Sequence, residues 1–224
     1  MHTYQVEAIR VCYQHYINYS YLIIDRTTRM AAVVDPAWEL NAILEALTRH
    51  EAILTTILLT HSHKDHVNLV GPLYNLYQPR VYMMRKEIDY YQYTCPSLYG
   101  LEDMDRVHIG ETTVTSLLTP GHTAGGGCYL LSDSLFSGDT LFIEGCGMCS
   151  SKGSDPVELF HSVKRIRSLV HPDVKVYPGH SYGELPGQPM SYLHENNAYF
   201  QIESLENFIF FRMRKNQRDL LRFR

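Results

Sequence analysis

The sequence predicts an α/β sandwich with helices outside its sheets. Three observations carry this. Short apolar runs of strand character recur along the chain, and between them lie segments whose leucines and valines repeat at helical spacing. The 224 residues, 45% hydrophobic and 20% charged, are enough to bury a sizeable core without disulfide staples.

The elements follow in order. YQVEAIRV alternates polar with apolar as a half-buried strand does, and YSYLIID and MAAVVDP are apolar runs joined by RTTR, which suits a hairpin. AWELNAILEALTRH places Leu40, Ile43, Leu44 and Leu47 on one helical face. TTILLT then reads as a short buried strand, followed by a helix over 66–77, the strand RVYMM and a Tyr-rich helix or loop over 86–99. TTVTSLLTP, GCYLL and SLFSGD read as three more strands. DPVELFHSVKRIRSLV follows the cap signal Ser154/Asp155 with Pro156 and then keeps a helical period. VKVYPGH is the last strand. ELPGQP near 184–189 reads as a connector, which divides the chain into residues 1–186 and a short C-terminal helical extension, 187–224.

Composition narrows the classes of function. A net charge of -4 gives no electrostatic case for nucleic acid or a membrane surface, and no run approaches the ~18 apolar residues of a membrane span. MHTYQVEAIR lacks the apolar centre of a signal peptide, and five cysteines without framework spacing suit free thiols in a reducing compartment, so a cytoplasmic location is expected. The pair Cys146/Cys149 is a CxxC in a Gly-rich loop, away from the helix start that redox chemistry uses, and is read without a role. The tyrosines of IDYYQYTCPSLYG are read as packing, with an acyl-chain groove as the other reading.

The chemistry concentrates in THSHKDH, residues 60–66. In an extended segment His61 and His63 point to one side, and Asp65 and His66 follow within a turn. Imidazole suits zinc, iron, copper or nickel, and a carboxylate adds a hard oxygen. Three protein ligands on a metal leave a position for water, the arrangement of catalytic rather than structural sites. Three further stretches repeat one form, a short apolar strand, a glycine and a possible ligand: LLTPGH at His122, LFSGD at Asp139 and VYPGH at His180. Four strand ends would then meet at one edge of the sandwich. Lys64 is read as solvent-facing. The other seven histidines (His2, His15, His50, His108, His161, His171, His194) lack such context and are read as surface or core-rim residues.

The order HxHxDH, GH, GD, GH resembles the metallo-β-lactamase superfamily, specifically its glyoxalase II-like thioesterase branch, with LLTHSHKDH, TPGHTAGG, FSGDTLFIEGCG and VYPGH as the stretches that carry it. The resemblance implies a four-layer αββα sandwich holding two divalent metals, most often zinc, with iron or manganese as alternatives. Carried over position by position, it implies that His61, His63 and His122 bind one metal and Asp65, His66 and His180 the other. Asp139 would lie between them, and Asp65 would also orient a metal-bridging hydroxide. The implied reaction is hydrolysis of a thioester.

Departures from the branch bear on the substrate. Acylglutathione hydrolases carry a lysine directly after GCG, where this chain has Met148, and the next lysine is Lys152. Tyr182 in GHSYG does match. NFIFFRMRK resembles the start of the branch's C-terminal region, but the sequence given stops before a glutathione-binding motif. The overall pattern is similar to the zinc-dependent hydrolases of bacterial polyketide synthase clusters of the bacillaene type, which implies acyl groups on the phosphopantetheine arm of an acyl carrier protein. The tail RMRKNQRDLLRFR, with Arg212, Arg214, Lys215, Arg218, Arg222 and Arg224 against Asp219, suits an acidic partner. Three alternatives stay beside this reading: an acylglutathione hydrolase, a one-iron persulfide dioxygenase and a non-catalytic carrier-binding module.

Overall fold

The structure, a computed structural model, describes residues 3–14 and 16–214. His2 and His15 lie outside the described residues, as do Lys215, Arg218, Asp219, Arg222 and Arg224 of the basic tail.

Two six-stranded sheets face each other. The first runs β1 (Tyr4–Tyr13), β2 (Tyr16–Asp25), β3 (Met30–Val34), β4 (Ile53–Leu58), β5 (Arg80–Met84), β6 (Leu98–Leu101), with α1 (Leu40–Arg49), α2 (Lys64–Val67), α3 (Val70–Tyr77) and α4 (Arg85–Tyr91) in its connections. The second contains β7 (Arg106–Ile109), β8 (Thr112–Leu118), β9 (Gly127–Leu130), β10 (Ser134–Gly138), β13 (Lys175–Pro178) and β14 (Gln188–Pro189), in the order β14-β13-β10-β9-β8-β7. A small hairpin, β11 (Leu141–Phe142) with β12 (Gly145–Cys146), precedes α5 (Pro156–Leu169), and α6 (Met190–Asn196), α7 (Ala198–Gln201) and α8 (Leu205–Arg212) close the described chain.

Three apolar layers hold this together. Tyr21, Ile23, Val34, Leu58, Tyr129 and Phe136 fill the space between the sheets. Leu22, Val33, Ile43, Leu47, Ile57 and Leu73 join the first sheet to α1 and α3. Leu135, Val176, Leu159, Val163, Phe200 and Phe208 join the second sheet to α5 and the C-terminal helices. This is the expected four-layer sandwich, with helices at the C-terminus. Burial on both faces explains why β2 and β3 read as unbroken apolar runs rather than alternating ones.

Several boundaries differ from expectation. The helix expected over 66–77 begins at Lys64 and is broken, because Asn68 turns its side-chain oxygen to Trp38 N–H (2.9 Å) and Leu69 N–H donates to the Pro36 carbonyl (3.2 Å). The 86–99 segment holds most of α4 and the start of the strand β6, and β7 is a further strand; both strands are four residues long, too short to show a period. The connector near 184–189 carries the edge strand β14. Asp155 caps α5 by accepting from Val157 N–H and Glu158 N–H, with Pro156 opening the helix. Arg212, read with the basic tail, is buried and donates to the Cys146 carbonyl (2.9 Å), while Arg214 lies over the Phe211 ring. Cys146 and Cys149 are buried free thiols, and burial pushes them up to about 12 and about 11.

The strand directions place the functional residues. β10 and β13 are parallel, and β8 runs the same way because it and β10 are each antiparallel to β9. Their C-terminal ends therefore share one edge. β3 and β4 are parallel too, so Asp35 and His61 leave the first sheet together.

Candidate metal centre

All seven side chains singled out for metal meet at that edge. His61, His63 and His122 bring one nitrogen each into a first group, and Asp65, His66 and His180 form a second, with the ligand atoms of each group within 4.8 Å of one another. In the first, His63 Nδ1 lies 3.0 Å from His61 Nε2 and 3.1 Å from His122 Nε2. Zinc–nitrogen bonds of about 2.0–2.1 Å give tetrahedral edges of roughly 3.3 Å, so this is the spacing of ligands around one ion. Asp139 faces both groups: its Oδ2 is 3.6 Å from His122 Nε2 and 3.5 Å from His180 Nε2, and its Oδ1 is 3.5 Å from His66 Nε2.

Outer contacts set which nitrogen faces inward. His122 Nδ1–H donates to the Met148 carbonyl at 2.8 Å and His180 Nδ1–H to the Ile17 carbonyl at 2.7 Å. A carbonyl can only accept, so the Nε2 atoms carry lone pairs. His66 Nδ1–H donates to Asp35 Oδ2 at 2.9 Å. Thr60 Oγ1–H also donates to that oxygen (2.6 Å), which leaves the hydroxyl to accept from His61 Nδ1–H (3.1 Å). Asp35, His61 and His66 also lie close enough to hold an ion. Because Asp35 already accepts from Thr60 N–H, Thr60 Oγ1–H and His66, it serves as the support of His61 and His66.

The donor set fits a cation. His66 Nε2 and Asp139 Oδ1, 3.5 Å apart, are both buried without a hydrogen-bond partner among the described residues. Uncompensated, such a pair costs free energy. Electrostatics agree. Burial would lower His66, but Asp139, Asp65 and Asp35 outweigh it and push the imidazole up to about 10. Burial would raise Asp65 and Asp139, but the neighbouring histidines outweigh it and hold both carboxyls low. The site thus attracts positive charge. Burial, and then the other histidines, hold His61 well below the usual imidazole value, while burial carries His122 down to about 4 despite Asp139. Both are neutral at pH 7, as ligands must be.

The GH and GD pairs differ in their reasons for glycine. Gly121 sits at φ +131, and a Cβ there would meet the Leu159 backbone at 2.3 Å. Gly179 serves close approach: a Cβ would come within 2.6 Å of both Asp139 Oδ1 and His66 Cε1.

Sequence reasoning missed three supports. Asn18, 1% exposed, donates to the Asp65 carbonyl (3.0 Å) and Oδ2 (3.1 Å) and accepts from Trp38 Nε1–H (2.8 Å). Glu87, fully buried, accepts from Ser62 N–H, Ser62 Oγ–H and Gly125 N–H, which turns Ser62 away from the side that His61 and His63 share. Asp35 had a readable signal, since VVDP is another apolar strand ending in a ligand-type residue. Tyr182 is half-buried with its ring 4.5 Å from Phe142, which itself packs on His180. Lys152 is exposed, and its carbonyl accepts from Tyr91 O–H at 2.6 Å. Lys64 is exposed, as expected.

Known proteins are similar to this chain in sequence and fold. Residues 15–180 match the metallo-beta-lactamase superfamily. The chain is 52% identical over 223 residues, covering 100% of it and 99% of the relative, to a Bacillus velezensis protein described as "Probable polyketide biosynthesis zinc-dependent hydrolase BaeB". A Bacillus subtilis protein of the same description, PksB, is 52% identical over 99% of each chain. A hydroxyacylglutathione hydrolase of Bartonella henselae is 37% identical over 74% of this chain and 63% of its own length. Among solved structures, ETHE1 from Myxococcus xanthus superposes with a TM-score of 0.83 at 28% identity, covering 94% of this chain and 91% of that one. TTHA1623, solved in a di-iron-bound form, gives 0.70 at 28% identity over 85% and 98%.

Proposed function

The chain belongs to the metallo-beta-lactamase superfamily, and from that premise we propose that it is a dinuclear metal-dependent hydrolase of acyl thioesters in polyketide biosynthesis. The observation that carries the reading is the pair of three-ligand groups facing one carboxylate, Asp139. His61, His63 and His122 would hold one ion and Asp65, His66 and His180 the other, with Asp139 bridging. Zinc is favoured by the full-length relatives, and iron is the competitor that TTHA1623 presents. Bound there, such ions supply Lewis acidity and bring the pKa of coordinated water to about 7.

The chain's own groups do the rest. Asp65, ionised and anchored by Asn18, orients the attacking water. The water oxygen forms a bond to the acyl carbon, the carbon–sulfur bond breaks, and the water's proton leaves with the thiol. Burial pushes the Tyr182 phenol above its ordinary value, so it stays protonated and donates a hydrogen bond to substrate. The exposed Lys152 offers a positive charge to the phosphodiester of a phosphopantetheine arm, and an acyl carrier protein is the partner that presents the arm. In this reading residues 1–186 carry the chemistry, and the described part of 187–224 steadies the 145–149 turn through Arg212.

The test is a comparison of purified, metal-replete protein on matched acyl-glutathione, acyl-coenzyme A and acyl-carrier thioesters. The pantetheine-bearing substrates are expected to turn over faster. A preference for glutathione would make it an acylglutathione hydrolase, and oxygen uptake with one iron per chain would make it a dioxygenase.

A further inference from the structure

Beside Asp65 the surface opens into a groove of about 480 Å³, lined by Tyr13, Tyr16, Trp38, Lys64 and Asp65. This lies within the size range of small-ligand sites. One wall is aromatic. The Tyr13 ring stacks on Trp38 at 4.8 Å between centroids and 14° between planes, and Tyr16 flanks Trp38 at 6.2 Å and 35°. Tyr13 and Tyr16 remain 50% and 42% exposed.

The wall is built and held. Trp38 adopts φ +59, a conformation costly for a bulky residue, and its N–H is fixed by Asn68 Oδ1. Its indole N–H orients Asn18, which holds Asp65. Glu39 accepts from Cys12 N–H at 2.7 Å and ties the β1–β2 hairpin to the Trp38 loop. The groove's lining therefore includes the carboxylate beside the metal groups, and the aromatic wall is connected to it by two hydrogen bonds through Asn18.

We propose that the Tyr13–Trp38–Tyr16 groove is the acyl-chain subsite, taking the apolar chain of the thioester along the aromatic wall with the carbonyl end toward Asp65. This rests on the thioesterase reading. The chemistry of the wall decides the occupant. Three rings offer area for stacking and apolar contact and no anion-binding fork, so an extended hydrocarbon suits it better than the hydrophilic, phosphate-bearing thiol arm. Lys64 at the rim marks where polar substituents of the chain would meet water.

Trp38 is the chain's one tryptophan, so its fluorescence reports the groove directly and needs no turnover. The probe is a series of S-alkyl pantetheine thioethers, which cannot be hydrolysed, titrated into metal-loaded and chelated protein beside pantetheine alone. The expected result is a saturable change in Trp38 emission, with affinity rising about two- to four-fold per methylene until the groove is full. Tyr13→Ala and Tyr16→Ala should flatten that dependence while the far-UV circular dichroism stays as in the parent. Affinity independent of chain length, or a length preference that survives both substitutions together, overturns the proposal. So does an equal response to pantetheine alone, which would place the thiol arm in the groove. The parent series decides the matter if a variant fails to fold. Should no thioester turn over while the length dependence holds, the hydrolase reading fails and the apolar-chain site stands.

Discussion

Asp35 Oδ2 accepts from His66 Nδ1–H at 2.9 Å, with both side chains almost fully buried, and this bond turns His66 Nε2 toward Asp139. Neither residue is at the surface, yet together they decide which nitrogen a metal meets. Asp35→Asn removes the charge while keeping the shape. The expected outcome is a metal affinity about 10- to 100-fold weaker at the Asp65/His66/His180 group, with the His61/His63/His122 group less affected. Competition against a chromophoric chelator measures both steps, and unchanged affinity at both would show that Asp35 only packs.

Asn18→Ala leaves Trp38 Nε1–H without its acceptor and removes the Asn18 amide from Asp65. A loss of about 1–3 kcal/mol in stability is expected from the orphaned indole N–H, readable in urea melts. A fall in kcat at retained metal content is the signature that separates positioning of Asp65 from mere packing.

Glu87→Ala strands three donors, Ser62 N–H, Ser62 Oγ–H and Gly125 N–H, around a buried gap. A cost of about 3 kcal/mol or more is expected. Differential scanning calorimetry would register it as a lower melting temperature, and a shift within error would remove Glu87 from the list of supports.

The metal-free protein should show a bell-shaped dependence of stability on pH. His122 titrates at about 4 in the fold and at about 6.5 unfolded, so the unfolded chain binds more protons between those values and stability falls as pH drops through them. His61 adds in the same direction. His66 is raised to about 10, so its contribution is full below about 6.5 and is lost as pH rises toward 10. Asp65 and Asp139, held low, contribute above the carboxylate range and add a further loss in acid. Melts of chelated protein from pH 4 to 10 should peak near pH 6–7, and added metal should stabilise most on the alkaline side. A monotonic profile contradicts this assignment.

Much of the centre was legible because strand-end motifs are local. HSHKDH, PGH, SGD and PGH each announce a ligand type after an apolar run, and parallel strand directions bring them to one edge. The supports were less legible. Glu87 in RKEIDYY looks like an ordinary surface acid of a helix, since only the tertiary fold brings Ser62 and Gly125 to it. The break at Asn68 depends on Trp38, thirty residues earlier, and a helical period cannot show that. The aromatic groove joins a hairpin to a loop in the same non-local way, whereas the 88–100 segment, read as packing, gives Tyr93 and Leu98 to the outer core and leaves Tyr90 and Tyr99 exposed.

Metal titration of chelated protein, read by hydrolysis of an acyl-pantetheine thioester, tests the central claim most directly. Turnover should rise with added zinc and level off at two equivalents per chain, as the proposed pair of sites facing Asp139 predicts. A plateau at one equivalent, or no turnover at any loading, would contradict it.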